Sequence, residues 1–324
     1  MTGPISPKQR ADGRFDNKLV VLLGGSGFVG RHLAAELLAR GARLRVVSRH
    51  AEKGYAIKAL GNLGQVQFAR ADVAKGADGL ARVMAGADAV VNLVGSFTGD
   101  LDAVQGRGAG VVAAAAKAAG ASAFVQISAI GADAASGVAY ARSKGLGEAA
   151  VREAFPAATI LRPSIVFGPD DSFIAMFAGL VSSLPVLPVF GPGAKLQPVF
   201  VDDVALAVAN ALADPGAFGG KTFELAGPEV LTMLELNERI AKAAHRTPLL
   251  APLPDFVSGL IAAFTGWLPG APITAAQWKL LKAGNVASGT LPGLAELGVR
   301  ARPLGLFLNR WLLRFREHGR FGVV

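Results

Sequence analysis

Apolar residues in this chain gather in short continuous runs, and stretches with helical spacing lie between the runs. The runs are KLVVLLGG (18–25), RLRVVSRH (43–50), VQFARADV (66–73), DAVVNLVG (88–95), AFVQISAI (123–130) and ATILRPSIVFG (158–168). Alanine-rich stretches such as RHLAAELLARG (31–41) and GAGVVAAAAKAAG (108–120) separate them. Strands that are apolar on both faces and alternate with helices predict a parallel sheet covered on both sides. Right-handed crossovers make this an α/β fold with a doubly wound, Rossmann-type sheet. After Gly168 the texture changes. Prolines and short apolar pieces (182–200) predict loops and an edge hairpin, followed by helices over 201–214 and 231–245 with a strand at FELAG (223–227) between them.

The expected organisation is a mobile polar arm over 1–17 and a dinucleotide-binding domain over 18–168, to which 196–214 return. A smaller, discontinuous C-terminal lobe takes 169–195 and 215–324. The N-terminus carries no apolar h-region, so no signal peptide is expected. The longest apolar candidate, Phe256 to Leu268, is too short to cross a bilayer. It reads either as a buried lobe helix or as a segment dipping into lipid or a partner. A cytoplasmic protein, soluble or peripheral, is expected.

Hydrophobic residues make up 52% of the 324, which describes a packed globular chain rather than a disordered one. There is no cysteine, so disulfides, thiol nucleophiles and thiolate metal sites are excluded. The four histidines, His32, His50, His245 and His318, have no ligand spacing, so no metal is expected. The net charge of +9 is concentrated at the two ends. Such a balance attracts anionic cofactors, anionic lipid or nucleic acid. No nucleic-acid motif accompanies it, and nucleic acid is set aside.

Candidate chemistry starts at the first strand's end. Gly24, Gly25, Gly27 and Gly30 satisfy both G-x-G-x-x-G and G-x-x-G-x-x-G, between a strand and a helix. Glycine there allows a tight turn and close backbone approach to a diphosphate, which the helix N-terminus then attracts. Ser26, Phe28, Val29 and Arg31 fall in the same turn. At the end of the second strand, where an acidic residue would select NAD, the chain has Ser48-Arg49-His50. Arg49 is positioned to fork onto a 2′-phosphate, which favours NADPH/NADP over NAD; its alternative is a solvated surface arginine. Asp72 and Val73 follow the third strand and are placed at an adenine edge, although Asp72 is equally an ordinary strand-end residue.

Tyr140 and Lys144 lie four apart on one helix face. A lysine charge beside a phenol favours phenolate and so equips Tyr140 as a general acid/base.

In these motifs, in their order and spacing, the chain resembles the extended or atypical branch of the short-chain dehydrogenase/reductase superfamily. Agreement runs through GGSGFVG (24–30), Asp72-Val73, NLVG (92–95), Tyr140/Lys144, LRPSIVFGP (161–169) and PVFVDDVA (198–205). The resemblance implies that Val94 and Gly95 pass beneath the cofactor and that Pro163, Ile165 and Val166 line the nicotinamide. It also implies a catalytic Ser or Thr after the fifth strand. Here the chain departs: Ser128 is present, but Ala129 and Ile130 hold the usual catalytic places. Ser128 and Ser136 are the available substitutes.

The C-terminal half (223–246, 273–288 and 306–321) is similar to the NAD(P)-binding accessory subunit family of respiratory complex I. That resemblance implies tightly held NADPH, little or no turnover, and a stabilising place in the complex I peripheral arm, near membrane and quinone. Two features suit such a place. Leu306–Arg320 interleaves Trp, Phe and Leu with arginines, reading either as a basic amphipathic helix on an anionic membrane surface or as a packed terminal helix. Residues 171–195 offer only Lys195 as a cation, which suits an apolar, quinone-like ligand better than a sugar diphosphate. The alternative is an active NADP-dependent reductase or nucleotide-sugar epimerase/dehydratase using Tyr140 and Lys144.

Overall fold

The computed structural model describes residues 13–265, 273–317 and 319. Most of the N-terminal arm, positions 266–268 of the long apolar segment, and His318 and Arg320 of the tail lie outside the described residues. Along the chain the elements begin β1 (Leu19–Leu23), α1 (Phe28–Ala39), β2 (Arg43–Ser48), β3 (Val66–Arg70), α2 (Asp78–Met84) and β4 (Ala89–Asn92). They continue α3 (Gly108–Ala118), β5 (Ala123–Ile127), α4 (Ala139–Ala154), β6 (Thr159–Pro163), β7 (Val166–Phe167), α5 (Ser172–Ser183) and β8 (Val186–Val189). Next come β9 (Lys195–Leu196), β10 (Val199–Phe200), α6 (Val201–Ala213), α7 (Pro215–Phe218), β11 (Thr222–Leu225), β12 (Leu231–Thr232) and α8 (Met233–Ala243). The last are β13 (Leu249–Pro252), α9 (Asp255–Thr265), α10 (Ala275–Ala283) and α11 (Gly305–Trp311).

The chain divides into two compact units. The first holds 1–163, 201–225 and 289–300. Its sheet has seven strands in the order β11-β6-β5-β4-β1-β2-β3, every pair parallel. That is a doubly wound Rossmann-type sheet, as the alternating runs predict. Every residue of β1, β4 and β5 is buried, so these strands need apolar side chains on both faces. Helices α2, α3 and α4 cover one face, around a core that includes Val21, Leu23, Leu80, Met84, Val112, Phe124 and Phe155. Helices α1 and α6 pack together on the other face, where His32 Nδ1 meets Asp202 Oδ1 at 2.6 Å. Segments 215–225 and 289–300, expected in the smaller lobe, belong here. β11 pairs with β6, and its Glu224 N–H donates to the Pro292 carbonyl at 2.9 Å, closing the sheet edge.

The second unit holds 164–200, 226–288 and 301–324. The run 158–168, read as one strand, breaks in two at Ser164-Ile165. At the break Asn285 Oδ1 accepts from Ile165 N–H at 2.7 Å, and the chain then turns to pair with β10. No hairpin forms over 182–200. Instead β8 pairs in parallel with β13, β9 antiparallel with β12, and β10 in parallel with β7. A hairpin would require adjacent partners; β7/β10, β9/β12 and β8/β13 pair across more than 30 residues, and two of the three pairs are parallel, which a tight hairpin cannot connect.

The tail folds inward. Leu308 and Leu312 are buried, and Phe307 stacks on both Phe200 (4.2 Å between centroids) and Trp311 (4.7 Å). Arg246 and Ser182 both donate to the Phe315 carbonyl. Helix α9 differs. Phe256, Leu260 and Phe264, four apart on one face, are 71%, 51% and 73% exposed, so this segment is not a buried helix. No described helix is long and apolar enough to cross a membrane.

Candidate functional site

The first unit builds its site at the carboxyl ends of β1, β2, β4 and β5. Where β1 ends, Gly24 turns the chain with φ +74°, a conformation L side chains rarely adopt. Its N–H donates to the Val47 carbonyl at 2.8 Å and its carbonyl accepts from Gly27 N–H at 3.0 Å. Gly27 caps α1, whose first intrahelical bond is Arg31 N–H to Gly27. The N–H groups of Phe28, Val29 and Gly30 therefore have no partner within the helix and face its N-terminal end. A Cβ on Gly30 would sit 2.4 Å from the Gly25 carbonyl oxygen, so only glycine lets helix and turn close together. Ser26 is half-buried and Gly27 exposed, leaving backbone within reach of an incoming anion.

At the end of β2 the Ser48 hydroxyl oxygen is buried and has no hydrogen-bond partner among the described residues. Arg49 is exposed and half-buried Arg31 follows the last glycine. Sequence reading passed over Glu52, which meets His50 at 3.2 Å and Arg70 at 3.1 Å. Backbone and side-chain hydrogen bonds hold its carboxyl below the usual range. Glu52 is thus committed to its neighbours. Asp72 accepts from Ala74 N–H at 3.1 Å and caps the short turn Val73–Lys75. Val73 packs its side chain into the core, leaving only backbone for any ligand.

These buried and open polar groups fit a dinucleotide. The glycine turn supplies close backbone, the helix start supplies N–H groups, and Ser48 supplies an unmatched hydroxyl.

Past β4, Asn92 is buried against Gln126 (2.9 Å) and accepts from Val94 N–H. A Cβ on Gly95 would lie 3.3 Å from Lys144 Nζ, so the structure brings these two predicted residues together. Lys144 is buried on α4, donates to the Ile127 carbonyl at 3.4 Å, and sits 6.0 Å from the Tyr140 ring centroid. Desolvation pulls its ammonium down to about 8, with Glu148 pulling the other way. Burial pushes the Tyr140 phenol up to about 12, so in the cofactor-free protein the phenol is favoured and not the phenolate expected from its neighbour Lys144. The Phe97 ring lies flat on Tyr140, 4.6 Å between centroids at 13°.

Ser128 is differently employed from what its place after β5 suggests. Its hydroxyl donates to Glu148 Oε1 at 2.6 Å, and Glu148 takes a bidentate fork from Arg162 (2.8 and 2.7 Å). Glu148 is 2% exposed. Ser136, the other substitute, accepts from Val138 N–H and shapes the entry to α4. The side chains at 129 and 130 carry no hydroxyl, so no free Ser or Thr stands there. Pro163 ends β6 in the first unit, whereas Ile165 and Val166 lie in the second.

Glu148, Arg162, Phe97 and Gln105 escaped the sequence reading. Gln105, 1% exposed in a π-helical turn over Asp102–Arg107, had one available signal: a lone amide in an Ala/Gly-rich helical stretch.

Residues 24–174 match the family model described as NAD(P)H-binding, and residues 133–257 match the RmlD substrate binding domain. The chain is 33% identical over 308 residues to rat mitochondrial NADH dehydrogenase (ubiquinone) 1 alpha subcomplex subunit 9. That match covers 93% of this chain and 81% of the rat protein. The chain belongs to this family. Membership makes it an NAD(P)-binding Rossmann protein of the extended short-chain dehydrogenase/reductase type. It is also 30% identical over 241 residues to a ceramide reductase of Caulobacter vibrioides, covering 73% of this chain and 74% of that one. In fold it resembles the Citrobacter sp. triphenylmethane reductase solved with NADP(H): TM-score 0.71, 20% identity, 91% of this chain and 99% of that chain.

Proposed function

We propose that this chain holds NADP(H) as an accessory, stabilising subunit of a complex I-type assembly and turns it over slowly or not at all. The observation that carries the reading is a family match to a complex I subunit over 93% of the chain, beside a Ser128 whose proton is given to Glu148. In this reading Gly24 to Arg31 cradle the diphosphate, Ser48 and Arg49 take the 2′-phosphate, and Asp72-Val73 offer backbone to the adenine. Val94, Gly95, Pro163, Tyr140 and Lys144 receive the nicotinamide half. Bound NADPH would supply hydride chemistry; Tyr140 is the group able to give a proton to an acceptor oxygen, with Lys144 steadying the charge.

The same reading puts the protein peripherally on the cytoplasmic face of an anionic inner membrane. Phe256, Leu260 and Phe264 support that contact better than the tail, where Leu306 is exposed but Phe307, Leu308, Trp311 and Leu312 pack within the second unit. A quinone-like ligand suits the scarcity of cations along 171–195. The test is native purification from membranes, with mass spectrometry of released ligand and of co-purifying proteins. NADP(H) together with complex I subunits is the expected result; their absence, or robust NADPH oxidation by the isolated protein, overturns it.

A second reading, an NADP-dependent reductase, is favoured by the preserved Tyr140–Lys144 pair and by the 30% identity to the ceramide reductase. A turnover assay with apolar carbonyl acceptors separates the two.

A further inference from the structure

Phe97 is 73% exposed, yet its ring lies parallel on Tyr140. An exposed phenylalanine on a loop needs a reason to hold one position. A buried relay supplies it. Gln105 Oε1 accepts from Ser96 N–H at 3.1 Å, on the residue next to Phe97. Gln105 Nε2 donates to Ser143 Oγ at 2.9 Å, and Ser143 Oγ donates to the Tyr140 carbonyl at 2.9 Å. The loop that carries Phe97 and the helical turn that carries Tyr140 are thereby tied through one amide. The backbone beneath the amide is fixed as well: a Cβ on Gly147 of α4 would clash with the Gln105 backbone carbonyl oxygen. Above the tie, Ser96 Oγ donates to the Thr98 carbonyl at 2.7 Å and accepts from Thr98 N–H, curling the loop around Phe97. Gly95 and Gly99, the latter at φ +83°, flank the curl.

We propose that Phe97 is an aromatic cover over Tyr140 and that Gln105 is its latch, so that this loop governs what reaches the phenol. The proposal rests on Tyr140 and Lys144 being the acid–base pair of the site, and it makes Phe97 and Gln105 positioning residues for that pair. With the cover in place, one face of the phenol is closed, and the open face of Phe97 presents a flat apolar wall beside it. Burial that holds the phenol protonated, up to about 12, agrees with this arrangement.

The chain contains two tyrosines, and the second, Tyr55, is 59% exposed, which provides an internal standard. Brief nitration with tetranitromethane at pH 8, followed by peptide mass spectrometry, reads the Tyr140/Tyr55 ratio. Nitration requires both the phenolate and access of the reagent to the ring, so uncovering Tyr140 raises its rate against that of Tyr55. Phe97→Ala should raise the ratio at least tenfold, and Phe97→Trp should keep it low. Gln105→Ala should raise it with Phe97 still present; should that variant fold poorly, Ser143→Ala, which cuts the relay at its second link, should raise it instead. An unchanged ratio in Phe97→Ala overturns the cover. An unchanged ratio in both relay variants overturns the latch. Measurements without added cofactor read the cover alone, while calorimetry with NADPH on the same preparations reads the cofactor site.

Discussion

Ser128→Ala is the substitution that separates a structural from a catalytic serine. In the structure its hydroxyl makes a 2.6 Å hydrogen bond to a carboxylate that is 2% exposed. A hydrogen bond to a charged group contributes about 1.5–3 kcal/mol. Removing it does not orphan Glu148, because Oε1 still accepts from Arg162 at 2.8 Å. The cost therefore falls at the low end, about 1.5 kcal/mol. Glu148→Ala goes further, leaving Arg162 without its fork; one-sided removal from a buried pair costs about 3–5 kcal/mol. Arg162 retains 21% side-chain exposure, so water partly replaces the carboxylate and the lower figure applies. In a double-mutant cycle, once Glu148 is gone, Ser128→Ala should cost almost nothing, giving a coupling of about 1.5 kcal/mol. Urea unfolding of the four proteins measures it. Any NADPH oxidation present in the parent should persist within about twofold in Ser128→Ala. A coupling below about 0.3 kcal/mol, or a hundredfold fall in turnover without loss of stability, would refute the structural role.

Arg49→Glu should weaken NADPH by about 10–100-fold, and NADH far less, in titration calorimetry; equal losses would remove Arg49 from the 2′-phosphate. Lys144 titrates at about 8 when folded and near 10.5 when unfolded. The unfolded chain therefore binds the extra proton between these values, and stability rises as pH climbs through about 8 to 10.5. The gain is about 3 kcal/mol for the cofactor-free protein. Lys144→Met should flatten that rise in urea unfolding followed from pH 7 to 10, and an unaltered slope would contradict the burial of its ammonium. Gly30→Ala forces a methyl onto the Gly25 backbone and should abolish NADPH binding while lowering stability by about 1–3 kcal/mol; retained calorimetric heat would count against the close approach. Trp311→Ala should destabilise the protein by about 3 kcal/mol, and an unmoved thermal midpoint would show that the aromatic stack does not anchor the tail.

The sheet and its glycine turn were legible because their signals are local. KLVVLLGGSGFVG carries strand, turn and helix start within thirteen residues, and the strands around it read as unbroken apolar runs on account of their burial on both faces. What stayed hidden depends on distant partners. Ser128 reads as a catalytic remnant until Glu148 and Arg162, 20 and 34 positions on, arrive beside it. Phe97 carries no motif, and its stack on Tyr140 spans 43 positions. In the second unit β8 has no neighbour to form a hairpin with; its partner β13 comes only after four further strands and three helices. The tail's double reading had the same cause. Its amphipathic spacing fits membrane and protein equally, and the distant rings of Phe167 and Phe200 decide that Phe307 and Trp311 face inward.

The sheet edge has a consequence for biosynthesis. β11 is the final strand of the first unit, and the segment carrying Pro292 seals it from outside. A nascent chain emerges at about 5–20 residues per second, so the ribosome exposes six finished strands well before their closing piece appears. During that interval the flank of β6 is an open template for other chains. Truncations ending before residue 222, which lack β11, should be recovered in inclusion bodies, however complete their cofactor turn.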